Sequence, residues 1–127
     1  MNLEKVIFAF FIVLALTLNF GFSMGTIDNP EHHNVYELFA ALVVSLIATV
    51  MKFGDRTHIG AVLLATSLVA DLQLIVAAVI WGIALYVTNV GMTPSMMSSI
   101  VSLAGGAVIA NATSVILLVV ETINVRR

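Results

Sequence analysis

The sequence predicts an all-α integral membrane protein, a four-helix transmembrane bundle with both termini in the cytoplasm. Three observations carry that prediction. Of its 127 residues, 61% are hydrophobic and only 9% are charged, against about 25% charged in an ordinary soluble domain. The apolar residues gather into four long runs, and the five basic residues all fall on one side of the resulting arrangement. A soluble domain of this size buries only about two-thirds of the surface its unfolded chain exposes, too little to hide so much apolar area. Lipid is therefore the expected solvent for residues 1–127, read as a single domain.

The first span is expected at 6–24. Its start resembles the basic head of a secretory leader, but the apolar run exceeds the usual 7–15 or so residues, so it reads as a retained span. The second, at 33–52, takes its start from Asn29-Pro30-Glu31, which reads as an N-cap, a proline at the first helical position and an acid in the first turn. The third, at 59–87, is interrupted only by Asp71 and Gln73. Its 29 residues would cover about 43 Å as a helix, more than a hydrocarbon core of roughly 30 Å requires. The fourth, at 96–120, follows Thr93-Pro94-Ser95, which repeats the proline start.

Orientation follows from the basic residues. Lys5, Lys52, Arg56, Arg126 and Arg127 sit at the N-terminus, between spans two and three, or at the C-terminus, and the other two loops hold none. Both termini then face the cytoplasm, with a bias too strong for a dual-topology protein. Short uncharged loops suit a bacterial inner membrane.

Asp71 is the main functional signal. A charged Asp at the centre of a span costs roughly 2.5–3.5 kcal/mol on insertion scales, and the spans hold no internal Lys or Arg to offset it. Such a carboxyl must be protonated, bind a cation, reach water or pair with another chain. Asp71 shares a helical stripe with Gly60, Leu64, Ser67, Ile75, Ala78 and Gly82, so it is expected to face a neighbouring helix. Counting about 1.5 Å per residue places Asp71, Asn19 and Asn111 at similar depths, roughly 19–22 Å from the cytoplasmic end. Asp71, Asn19, Asn111 and Ser67 are thus the expected ion- or proton-handling set, with interhelical hydrogen bonding as the plainer alternative. Gln73 falls on another face.

Span four carries a small residue every fourth position: Ser98, Ser102, Gly106, Ala110 and Ser114, with Gly105 beside them. Such stripes let helix backbones approach closely, and this one is read as an assembly surface for a homo-oligomer or a larger membrane complex. Ala41, Ser45 and Thr49 form a shorter version on span two. In the outer loop, His32, His33 and Glu37 are weak metal candidates: His33 and Glu37 are spaced one turn apart, but neighbouring histidines seldom share one metal. Asp28 and Glu31 read as solvated acids near a helix start, and Glu121 as an interface anchor near Arg126 and Arg127.

A net charge of −2 offers no footprint for nucleic acid. With no cysteine, there is no disulfide and no thiol nucleophile. No nucleophile elbow, phosphate loop or zinc helix occurs, so neither an enzyme nor a cofactor is expected. Span number and length are those of the small multidrug transporters and the fluoride channels, but the residues differ. The former carry a glutamate in the first span, where this chain has Thr17 and Asn19; the glycine-arginine and phenylalanine-box patterns of the latter are missing. The expected function is that of a proton- or monovalent-cation-handling transport or channel component, with a non-conducting accessory subunit as the alternative.

Overall fold

The computed structural model describes residues 3–26, 29–55 and 57–126. Among these it is all helical: α1 Leu3–Ser23, α2 Val35–Lys52, α3 His58–Tyr86 and α4 Pro94–Arg126, with one 3₁₀ turn at Pro30–His32. All four helices are long and apolar enough to cross a membrane. The readings that involve Asp28, Arg56, Arg127 and the side chain of Arg126 lie outside the described residues.

The helices form a ring in chain order. α1 packs on α2, α2 on α3, and α3 most extensively on α4, which closes back on α1. Short connections make consecutive helices antiparallel. The α1 start, the α2–α3 turn and the α4 end therefore share one end of the bundle. Lys5 of α1 pairs there with Glu121 of α4 at 3.0 Å, and Lys52 with Asp55 at 3.5 Å.

Lipid, not water, suits the outer surface. Phe10, Phe20, Val43, Leu72, Ile109 and Ile116 all point outward, a continuous apolar exterior that a soluble monomer does not present. The structure is that of a multi-pass membrane protein.

Inside, the apolar residues form two clusters. Phe22, Leu38, Leu74, Met97 and Ile100 fill the half away from Lys5 and Lys52, with small partners such as Ala41, Ala77 and Ala104. Phe8, Ile12, Ala48 and Leu63 fill the half nearer Lys5 and Lys52. On every helix a polar residue separates the two.

The helix ends correct several expectations. α2 starts at Val35 and not at Asn29-Pro30, because Pro30 opens a separate turn in which the Asn29 side chain accepts from the Glu31 N–H at 3.0 Å. The N-cap is Asn34, whose side chain accepts from the Tyr36 N–H at 2.8 Å. His33 thus precedes the helix, and the one-turn relation to Glu37 is not formed. α4 runs longer than 96–120, from Pro94, capped as expected by the Thr93 hydroxyl accepting from the Met96 N–H at 3.1 Å. α3 starts one residue early because Thr57 caps it, accepting from the Gly60 N–H at 3.0 Å. Between α2 and α3 the chain reverses at Gly54, whose φ of +90° is open only to a residue without Cβ strain. Glu121 meets Lys5, because the ring closure brings α1 and α4 together.

Candidate functional site

Asp71 lies on the inward face of α3 and is 5% exposed. Ser45 Oγ donates to its Oδ1 at 2.6 Å, and Thr49 Oγ1 donates to its Oδ2. Both hydroxyls come from α2, one turn apart, so the carboxyl is gripped from a single neighbouring helix. Thr49 Oγ1 also lies 2.9 Å from the Ser45 carbonyl oxygen, four residues back along α2. Ser45 stands near the middle of α2, which places the carboxyl well inside the bundle.

The other expected members of the set are also buried. Asn19, Ser67 and Asn111 are each 0% exposed. Ser67 is one turn from Asp71 on α3. Thr66 meets Ser114 hydroxyl to hydroxyl, and Gln73 packs against Gly106. That α3–α4 register sets Asn111 level with Asp71 to within about one turn. Ala9 and Val13 share a groove with Val115 and Val119, and continuing that α1–α4 register brings Asn19 within about a turn of Asn111. A polar band from all four helices therefore crosses the bundle between the two apolar clusters.

The band is not internally satisfied. Among the described residues, both amide atoms of Asn19, both of Asn111, Ser67 Oγ and Gln73 Oε1 have no hydrogen-bond partner. A buried polar group left unpaired costs about 1–3 kcal/mol. Among the described residues this cost gathers at about the level of Asp71.

Span two held more than its sequence reading assigned. Ser45 and Thr49 read as small-residue packing positions, yet they are the partners of Asp71. Their four-residue spacing was visible; the helix face that meets them was not. Below Thr49, Lys52 is 8% exposed, with its ammonium 4.3 Å above the Phe8 ring and 3.5 Å from Asp55. Ser45, Thr49 and Lys52 thus form a buried polar line along α2, from the band to the bundle end. Asp55 accepts from the Thr57 hydroxyl at 2.7 Å and the Thr57 N–H at 2.9 Å. These bonds, the side-chain one foremost and Lys52 adding to them, hold its carboxyl below the usual value of 3.8.

The α4 stripe divides. Ser114 is buried; Ser98, Gly106 and Ala110 are half-buried; Ser102 is exposed. The inward face of α4 runs instead through Met97, Ile100, Val101, Ala104, Ala107, Asn111 and Ser114. Gly106 has a task inside the chain: the Gln73 amide occupies the space a Cβ would need.

The histidines between α1 and α2 do not converge. His33 is 4% exposed, its Nδ1 2.6 Å from the Phe22 carbonyl oxygen and its Nε2 2.8 Å from that of Thr26. His32 Nδ1 accepts from the Thr26 N–H at 2.8 Å. Glu37 packs its carboxylate against Gly21. Each is turned toward α1 or the loop that follows it, and no group of three metal-binding side chains forms among the described residues.

No curated protein and no solved structure matches the chain. A family model does match, over residues 32–122. That stretch takes in α2, α3 and nearly all of α4, with Ser45, Thr49, Ser67, Asp71 and Asn111, and leaves out α1 with Asn19. Since the match covers most of its length, the chain belongs to this family, a family of unknown function (DUF6394).

Proposed function

We propose that this protein is a proton- or monovalent-cation-handling component of a membrane, with Asp71 as its ion-responsive group. One observation carries the reading: the way Asp71 is held. Thr49 has a single hydroxyl hydrogen and two acceptors within reach, Asp71 Oδ2 and the Ser45 carbonyl oxygen. With the carboxyl ionised, that hydrogen goes to Asp71. With the carboxyl protonated, Asp71 gives its own hydrogen to Thr49 Oγ1, and Thr49 turns to the Ser45 carbonyl. Ser45 Oγ serves Oδ1 in both cases. The cluster stays hydrogen-bonded through a change of charge, as a group that gains and loses a positive partner inside protein requires. Acidic residues within membrane spans mark ion and proton pathways as a rule.

The same reading places both termini in the cytoplasm, from the shared end of Lys5 and Lys52 and the positive-inside rule, and the membrane as a bacterial inner membrane. The chain has no cysteine, so Thr57→Cys and Asn89→Cys test orientation with a membrane-impermeant thiol reagent: only the second should be labelled from outside.

The functional test is flux. Purified protein in lipid vesicles should move protons or a monovalent cation down an imposed potential, and Asp71→Asn should abolish the movement. A second reading, an accessory subunit without conduction, is favoured by the exposed Ser102 and by Gly105, which faces open space. It predicts no flux, and a stoichiometric membrane partner that Ser102→Leu displaces.

A further inference from the structure

We infer that the polar band is a hydrated chamber. A small water cluster joins Asn19, Asn111 and Ser67 to Asp71, so the species handled there is a proton carried on water and not an alkali-metal ion. This rests on the reading of Asp71 given above and narrows it.

The unpartnered atoms decide between the two kinds of occupant. Besides Gln73 Oε1, whose amide packs against Gly106, they are the amide nitrogens of Asn19 and Asn111, the amide oxygens of the same residues, and Ser67 Oγ. Two NH₂ groups bring hydrogens that need acceptors, and the two amide oxygens need donors. A bare cation serves only the oxygens, and it repels the NH₂ ends that share the space. Water accepts and donates, so it alone answers both halves of the set, and buried water commonly makes about three such bonds. The donors are also matched to Asp71, whose two oxygens are already taken by Ser45 and Thr49. Each carboxyl oxygen keeps a further lone pair and each hydroxyl oxygen a free one, so water can join that chain while also accepting from the NH₂ groups, which a metal ion cannot do.

Small apolar side chains flank the band at this level. The non-polar side chains next to the band are alanines: Ala15 beside Asn19, Ala70 beside Asp71, Ala107 beside Asn111, all 0% exposed. The bulky side chains lie above and below, Phe22, Leu74 and Met97 on one side, Phe8, Ile12 and Leu63 on the other. Short side chains between two bulky layers leave the unpartnered polar atoms facing the level of Asp71, the kind of polar site that buried water occupies.

Two measurements on the full-length native protein in lipid vesicles test this. The first is water-edited solid-state NMR with ¹⁵N-labelled asparagine and leucine, Asn19→Leu, Asn111→Leu and Leu74→Ile serving only to assign the signals. Magnetisation from water should reach the Asn19 and Asn111 side-chain amides as fast as it reaches exposed Asn34 and Asn89. Arrival only in step with buried Leu74, by relay through protein, overturns the chamber even where Asp71-dependent proton flux is found, and leaves the transport reading standing. The second is proton flux in sodium and in choline buffers. Equal proton flux in the two supports the inference; sodium movement that depends on Asp71 overturns it. No movement of either ion, in native and Asp71→Asn vesicles alike, overturns the transport reading and the proton assignment with it, even if both amides prove wet.

Discussion

Ser45 donates its hydroxyl to Asp71 at 2.6 Å across the α2–α3 interface, so a residue that reads as packing material in the sequence is what keeps an acid inside the bundle. Thr49, one turn on, takes the second carboxyl oxygen. Thr49→Val keeps the shape and removes the donor. It should lower stability in detergent by about 1–3 kcal/mol, the cost of one unmet buried partner, read from thermal unfolding. Ser45→Ala should behave alike, and the double variant should lose less than the two singles combined, because both act on one carboxyl. Independent, additive losses would mean that the two bonds are not coupled through Asp71.

The Thr66–Ser114 hydroxyl pair links α3 to α4 next to the band. A double-mutant cycle with Thr66→Val and Ser114→Ala should give a favourable coupling of roughly 0.6 kcal/mol, typical of a hydroxyl pair within a membrane bundle. A coupling indistinguishable from zero would show that the two helices meet in another register.

His33 holds the end of α1 to the loop that follows, with a carbonyl at each ring nitrogen. In His33→Ala both carbonyls lose that partner beside Phe22. Stability should fall by about 1–3 kcal/mol, and residues 24–34 should become more open to protease added from outside. His32→Ala, which loses contacts on an exposed ring, should cost less. Equal losses for the two would place the strap elsewhere.

Asp55 gives the turn before α3 a pH dependence with a definite sign. Bonds from Thr57 lower its carboxyl below 3.8 in the folded protein. Stability from this group is therefore complete above the unfolded value and is lost as pH falls through the lower folded value. Thermal melts between pH 7 and pH 3 should show an acid-side drop that Asp55→Asn reduces. A drop of the same size in the variant would assign the acid sensitivity to another group.

Much of this was legible in the sequence, for identifiable reasons. Apolar runs of membrane length give four helices because lipid leaves the backbone no other way to satisfy its polar groups. Asp71 stood out because nothing near it in sequence is charged, and its burial against a neighbouring helix followed from the small residues on its stripe. Asn19 and Asn111 were legible as level with Asp71 by counting residues, and Ser67 as a member of the Asp71 stripe. The partners of Asp71 were not. α3 and α4 are apolar on every side, so no periodicity tells which face turns inward, and the four-residue stripe of α4 points beside its true inner face. Neither was the α2 start legible. Pro30 fits a first helical position by local rule, but His33 is pulled out of line by carbonyls of α1 and its loop, which no local rule contains.

The two apolar clusters stand on either side of the polar band; in the reading proposed above they are the plugs of a wet compartment. Anything arriving from the Trp81 end must part that ring from Phe22, 6.2 Å away. From the other end it must lift the Lys52 ammonium off Phe8. Loosening both at once would leave a leak through the bilayer; loosening one in turn would let the middle trade with each side separately. On that reading the two ends are closed by different chemistry, a ring pair at one and an ammonium over a ring at the other.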